Sequence, residues 1–299
     1  MNIIGKRKTY LFVSGLLVVL SIISLLINGL KLSIDFTGGS RLEIASNSGE
    51  KIIKESEIDK AYASQNIKIS SIQDTDEGYR ISSSEISKEK KKEILNELDA
   101  RELGFEVLGP TIGSETRDKA ITAVFFAIIA ITIYIAIAFF RSGGVISSWK
   151  LGASAIIALV HDVVITLGFF SLFGLLFDVQ VDALFVTAIL TIMGFSVHDT
   201  IVVFDRIREN IANNVKRFSF EELVNNSINE TIGRSLNTSV TVLFVLFAMA
   251  LFGGESIRWF VIAFIIGVIA GTYSSIFVAS PILVIWHNWD RKKIKTLKR

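Results

Sequence analysis

Residues 183–204 read Ala183-Leu184-Phe185-Val186-Thr187-Ala188-Ile189-Leu190-Thr191-Ile192-Met193-Gly194-Phe195-Ser196-Val197-His198-Asp199-Thr200-Ile201-Val202-Val203-Phe204, with Asp199 as the one formally charged residue. An apolar block of about 18 residues or more with few charges reads as a bilayer-spanning helix. Five further blocks share this character, at 10–30, 120–140, 151–177, 235–252 and 259–286. Each can cross a hydrocarbon layer of about 30 Å at about 1.5 Å per residue, some only when tilted. All four tryptophans, Trp149, Trp259, Trp286 and Trp289, fall at block ends, where an amphipathic ring sits at the membrane interface. The expected fold class is a polytopic α-helical membrane protein with six transmembrane helices.

The whole-chain numbers agree. Of 299 residues 51% are hydrophobic and 20% charged, and the mean hydropathy is +0.53. Collagen-like, disordered and disulfide-stapled chains are excluded. Without cysteine there is no thiol nucleophile and no Cys-based zinc site. The first block follows Lys6, Arg7 and Lys8. It is too long for a typical signal core of about 7–15 residues, and no Ala-x-Ala site follows it, so it is expected to be a retained anchor.

Basic residues set the expected orientation. With the N-terminus in the cytoplasm, the inside segments hold 16 Lys and Arg: Lys6–Lys8, Arg141, Lys150, the 205–234 loop and the tail after Trp289. The short outside loops, 178–182 and 253–258, hold only Arg258. That is the positive-inside pattern, and the tail Arg291-Lys292-Lys293-Ile294-Lys295 could rest on anionic lipid. Four regions follow: 1–30, cytoplasmic N-terminus and first helix; 31–118, an outside (periplasmic) domain; 119–286, helices two to six with a cytoplasmic loop at 205–234; and 287–299, a basic cytoplasmic tail.

Segment 31–118 carries 13 basic and 18 acidic residues. Its pattern predicts a strand over 33–45 with a turn at Thr37-Gly38-Gly39. A capping box at Ser56-Glu57-Ile58-Asp59 opens a short helix. Strands follow at 67–72 and 78–83, then a helix over 87–103 with Ile94, Leu95 and Leu98 on one side, and a last strand at 105–108. The order βαββαβ suggests a small α+β ferredoxin-like sandwich inserted between the first two spanning helices. In the 205–234 loop, Asn213-Asn214 divides two helical pieces, the second starting at Phe218-Ser219-Phe220-Glu221-Glu222 and able to lie along the membrane surface.

Two carboxylates interrupt the apolar blocks. An ionised group at mid-bilayer costs roughly 2.5–3.5 kcal/mol on insertion scales, so it faces a protein interior, pairs, or becomes neutral. Asp162 lies near the middle of its block beside His161. Asp199 shares a face with Ser196, Thr200 and Val203, while His198 occupies the neighbouring stripe. Arg234 opens the fifth block and reaches the bilayer's polar edge. The functional reading is a proton path, with Asp199 as carrier and Arg234 as the cation that tunes it; the alternative is a set of bonds that pins helices together. Asp162 fits either reading, and so does His198. His161, His198 and His287 lack metal-ligand spacing, so no metal and no cofactor are expected. Small residues at Gly267, Gly271, Ser275 and Ala279 form a close-packing stripe that suits a helix of this chain or of a partner.

The run from Gly194 to Asn210, Gly194-Phe195-Ser196-Val197-His198-Asp199-Thr200-Ile201-Val202-Val203-Phe204-Asp205-Arg206-Ile207-Arg208-Glu209-Asn210, resembles the most characteristic motif of the SecF family. SecF is the small membrane subunit of the bacterial SecD–SecF protein translocase, in the resistance–nodulation–division superfamily. Four more segments agree in order: Ile34-Asp35-Phe36-Thr37-Gly38-Gly39, Leu108-Gly109-Pro110-Thr111-Ile112-Gly113-Ser114-Glu115, Arg234-Ser235-Leu236-Asn237-Thr238-Ser239 and Gly271-Thr272-Tyr273-Ser274-Ser275-Ile276-Phe277. The resemblance covers essentially the whole chain. It implies a non-enzymatic subunit of the bacterial inner membrane with both termini cytoplasmic. The implied partners are SecD, the SecYEG channel, the SecA ATPase and the translocating unfolded polypeptide, with no nucleic acid. It also implies proton conduction by the residues matching Asp199 and Arg234. One departure stands out: the residue before that Asp is often Asn in the family and is His198 here. The rival readings are a self-sufficient proton-coupled exporter of lipid or drug in the same superfamily, which usually holds two such halves in one chain, and a structural scaffold. An intramembrane hydrolase lacks its paired catalytic residues.

Overall fold

A computed structural model of the chain describes residues 1–47, 53–139, 147–214 and 217–297, with side chains described as far as Asp290 except for Asn214. Arg141, counted above for orientation, and the side chains of the basic tail lie outside the described residues.

The described residues hold six helices long and apolar enough to cross a membrane. These are α1 (Arg7–Asn28), α5 (Pro110–Phe139), α6 (Ser148–Phe177), α7 (Ala183–Asn214), α8 (Phe220–Phe252) and a last span built from α9 (Glu255–Ser274), a π-helical turn (Ser275–Ala279) and α10 (Ser280–Leu297). The second helix begins at Pro110, ahead of its apolar block, so the 118/119 boundary falls inside one continuous helix. Pro suits a first helical position because its missing N–H would have no partner there.

Residues 205–234 hold the two helical pieces expected, the first ending at Asn214 and the second starting at Phe220, but among the described residues these continue α7 and α8 beyond their apolar parts and form no separate surface helix. Ser219 caps α8: its hydroxyl accepts from the Glu222 amide, and the Glu222 carboxylate accepts from the Ser219 amide. With both groups satisfied at 219–222, helix starts there and has no reason to break before Phe252.

The bundle core is α6, α7 and α9. Glycines set its spacing: a Cβ on Gly267 would fall 2.3 Å from Ile192, and one on Gly271 would fall 3.1 Å from the Ser196 Cβ. The small-residue stripe of the last span therefore packs on α7 of this same chain. On the other side, a Cβ on Gly168 of α6 would meet Ser21 of α1 at 2.3 Å.

The inserted domain contains α2 (Ile34–Thr37), β1 (Gly39–Ser46), α3 (Glu55–Ser64), β2 (Ile69–Asp74), β3 (Tyr79–Ser83), α4 (Lys88–Glu97) and β4 (Ala100–Leu108). After α2 the order is βαββαβ, as the sequence predicts, with strand order β2-β3-β1-β4 and every pairing antiparallel. Leu42, Ile44 and Ile81 of the sheet pack with Ile58 and Tyr62 of α3 and Ile94 of α4, all fully buried.

Three local predictions are corrected. Residues 34–37 form a helical turn, because the Ser33 hydroxyl accepts from the Asp35 amide and the Thr37 hydroxyl donates to the Ser33 carbonyl. Helix α3 starts at Glu55, with the Glu57 carboxylate accepting from the Lys54 amide, so Ser56 lies inside it and caps nothing. Helix α4 ends at Glu97 because Asp99 turns left-handed, φ 45°, and 100–103 join β4. Gly38 (φ +72°) and Gly39 (φ +130°) need glycine twice over: a Cβ on Gly38 would lie 2.7 Å from the Pro110 Cα, and one on Gly39 would lie 2.3 Å from the Ser83 carbonyl.

The second face of the sheet is polar and sits on the α6–α7 connection. Gln73 and Ser71 donate to the Asp178 carbonyl, Ser82 donates to Gln180, and the Ile72 amide donates to the Asp178 carboxylate at 2.9 Å. Lys31 forms an ion pair with the same carboxylate. Leu32 and Val181 form a parallel bridge, and Arg258 at the head of the last span pairs with Asp76 at 3.0 Å.

Candidate functional site

Asp162 is fully buried where α6, α7 and α9 meet. Its Oδ2 accepts from the Ser196 hydroxyl of α7 at 2.5 Å and the Ser274 hydroxyl of α9 at 2.7 Å. Its Oδ1 lies 2.8 Å from His161 Nδ1. Gly271 lets Ser196 come this close to α9, since a Cβ there would lie 3.1 Å from the Ser196 Cβ. The His161 ring stacks on Tyr273, whose hydroxyl donates to the Tyr10 carbonyl and accepts from Ser14, both on α1. His161 Nε2 is buried without a hydrogen-bond partner.

Asp199 is 6% exposed, and its Oδ2 accepts from the Ser275 hydroxyl at 2.8 Å. Ser275 is the first residue of the π turn. Such turns recur at functional sites because the extra residue re-aims the side chains around it. The Ser280 hydroxyl donates back to the Ser275 carbonyl, and Thr200 donates to the Ser196 carbonyl. Ser239 of α8 and Thr272 of α9 share a hydrogen bond. Buried polar groups need such partners, since an unpaired one costs about 1–3 kcal/mol.

The structure thus brings Asp162, His161 and Asp199 into one polar interior, joined by the adjacent serines Ser274 and Ser275. His198 and Arg234 are exposed on α7 and α8. Among the described residues no ion pair joins Arg234 to Asp199. Ser274 and Ser275 were missed as carboxylate partners; their only signal is that two adjacent hydroxyls sit deep in an apolar block. Among the described residues no group of three His, Cys, Asp or Glu could hold a metal ion.

A second polar cluster lies at the head of α7, outside the membrane part. The Asp182 carboxylate caps the helix by accepting from the Phe185 amide at 2.8 Å, and Asp35 accepts from the Ala183 amide at 3.1 Å. Arg41 pairs with Asp35 and with Glu106. Burial, helped by the charge of Asp35, pushes the Asp182 carboxyl above the usual carboxylate range, against the Phe185 amide and Arg41, which pull it down. These residues line a cavity of about 260 Å³ between sheet and bundle.

Six spanning helices around two buried carboxyls, with an α/β domain inserted after the first, define a multi-pass membrane protein built for more than anchoring. The chain belongs to the SecD/SecF family of protein export membrane proteins. Residues 87–289 match the family described as protein export membrane protein SecD/SecF, C-terminal, and residues 23–48, which include Gly38 and Gly39, match the SecD/SecF GG motif. The protein translocase subunit SecF of Anaerolinea thermophila is 41% identical over 310 residues, covering 99% of this chain and 98% of that one. The SecDF subunit of Thermus thermophilus is 34% identical over 96% of this chain, which spans 38% of it. The crystal structure of SecDF from the same organism, described as a translocon-associated membrane protein, superposes with a TM-score of 0.84 at 33% identity, covering 96% of this chain and 39% of that one. The relatives carry the protein-export role of a SecF subunit to this chain, with SecD as its counterpart. They do not favour a self-sufficient exporter of drug or lipid.

Proposed function

We propose that this chain, paired with its SecD counterpart, uses the proton gradient across the bacterial inner membrane to draw exported polypeptide outward through the SecYEG channel, acting with the SecA ATPase late in translocation. The chain itself makes and breaks no covalent bond of a substrate. Both termini lie in the cytoplasm and the inserted domain lies outside, where it meets the emerging unfolded polypeptide.

The observation that carries the reading is Asp199: an ionisable group in a spanning helix, 6% exposed and held by one serine hydroxyl. Such a group binds a proton when isolated from cations and releases it when a cation approaches. Arg234 supplies that cation. In the arrangement described above Asp199 meets Ser275 and Arg234 is turned outward, the arm of the cycle in which the cation stands away from the carrier. Release draws Arg234 toward Asp199 and reseats α7 against α8. Because the gradient loads and unloads Asp199 from opposite sides, the difference in stability between the two arrangements does the work.

The test is gradient-dependent export by the reconstituted complex carrying Asp199→Asn. Loss of the gradient-dependent component, with gradient-independent export retained, is expected. Export at the wild-type rate would remove Asp199 as carrier and leave the chain a scaffold.

A further inference from the structure

Two hydroxyls in the bundle each stand between a carboxylate and a carbonyl of their own helix. Ser274 Oγ is 2.7 Å from Asp162 Oδ2 and 3.2 Å from the Gly271 carbonyl. Ser275 Oγ is 2.8 Å from Asp199 Oδ2 and 3.0 Å from the Thr272 carbonyl. A serine has one proton to donate and lone pairs to accept with. When the carboxylate is ionised, the serine donates to it. When the carboxyl is protonated, it donates to the serine oxygen, and the serine turns its own proton to the carbonyl one turn back. Both protonation states keep the carboxyl and its serine paired without moving a heavy atom. A group that only pins helices needs one such state; these serines provide two.

Asp162 has this device as fully as Asp199 does, and it has His161 besides. Nδ1 of that ring faces Asp162 Oδ1, and Nε2 is buried and unused. The titratable group in contact with Asp162 is His161 on its own helix; α7 and α9 meet it with the Ser196 and Ser274 hydroxyls, and Tyr273 of α9 stacks on the far side against the His161 ring. No hydrogen bond or ion pair joins Asp162 to α5 or α10 among the described residues; Asp290 of α10 pairs with Lys150 at the far end of α6. Among the described residues no Lys or Arg forms an ion pair with Asp162; its one ionisable partner is His161.

We propose that Asp162 is a second proton-binding group of the bundle, and that its occupancy is coupled to that of Asp199 through Ser274 and Ser275 at the start of the π turn. The two serines are consecutive in the chain, so a shift of one backbone position toward its carboxyl displaces the other. Binding forms one O–H bond on the Asp162 carboxylate. The proton comes from the gradient and returns to water on release, and no redox partner is involved. This rests on the reading of Asp199 as carrier and adds a second site and its linkage.

Infrared difference spectroscopy of the full chain with its SecD counterpart in lipid, labelled with 13C-aspartate, counts the protonated carboxyls that titrate inside the membrane. Two bands are expected in the wild type. Asp162→Asn should remove one and move the midpoint of the other by about half a pH unit or more, as coupled sites do. Loss of no band, or an unmoved midpoint for the remaining one, overturns the proposal. Ser274→Ala keeps Asp162 and should shift its band; an unshifted band overturns the proposal even where the Asn variant does not fold. Asp199→Asn that removes no band counts instead against Asp199 as carrier, and so separates the two failures.

Discussion

At the scale of single residues, Asp182 ties acidity to the seating of the domain. Its carboxyl titrates above the usual carboxylate range because it is buried at the head of α7 beside Asp35. The folded chain therefore holds this proton more tightly than the unfolded one. Stability from that preference is full at acid pH and is lost as pH rises through the folded value. Asp182→Asn keeps an oxygen to accept from the Phe185 amide and removes the titration. Thermal unfolding between about pH 4 and pH 7 should show a decline with pH in the wild type that is shallower in the variant; equal slopes would place the effect elsewhere. The carboxylates of the bundle were legible in the sequence for the opposite reason: a charge inside an apolar block is conspicuous. Their partners were not. Serine is common in membrane helices, and which way Ser274 and Ser275 aim depends on a π turn, whose five-residue spacing breaks the 3.6-residue repeat from which faces are read.

At the scale of elements, the junction between sheet and bundle rests on Asp178. Its backbone is left-handed, φ 55°, and its carboxylate takes the place that a neighbouring strand's carbonyl would fill beside the Ile72 amide of edge strand β2. Asp178→Ala removes that acceptor and leaves Lys31 without its partner, while Asp178→Asn keeps an acceptor and tolerates the conformation. A hydrogen bond to a charged group contributes about 1.5–3 kcal/mol. Amide exchange at Ile72 should therefore quicken by about tenfold or more in the Ala variant and much less in the Asn variant; unchanged exchange in both would show that Asp178 does not hold the edge. The elements themselves were mostly visible beforehand: six apolar blocks gave six helices, and the alternation in 31–118 gave the βαββαβ order. What was misread was decided by contacts that periodicity does not encode. The Ser33 cap makes a helical turn from a strand-like pattern, the left-handed Asp99 cuts α4 short, and the Ser219 cap lets α8 run unbroken from beyond the apolar block.

At the scale of the whole molecule, α7 and α8 present a face that lipid would not choose. Thr187, Thr191 and His198 along α7, and Arg234, Asn237, Thr238 and Thr241 along α8, are all exposed. Polar side chains at this depth are costly unless protein covers them. The chain spans 39% of the SecDF chain it superposes on, so another membrane half is available to do so. The sequence contains no cysteine, which makes cross-linking clean: a cysteine at Thr191 should link to one on the SecD counterpart, and a cysteine at Phe12 on the outer side of α1, 72% exposed, should not. Equal yields at both positions would place the partner elsewhere. The strap between Leu32 and Val181 has a mechanical consequence. Backbone hydrogen bonds from Ser33 to Val181 and from Val181 to Lys31, the latter 2.7 Å long, tie the chain just ahead of α7 to the chain just ahead of the sheet. That coupling has almost no slack. A stroke of α7 along its axis by one residue rise, about 1.5 Å, arrives at the foot of β1 as the same stroke, and the sheet travels with it as the head of a pushrod.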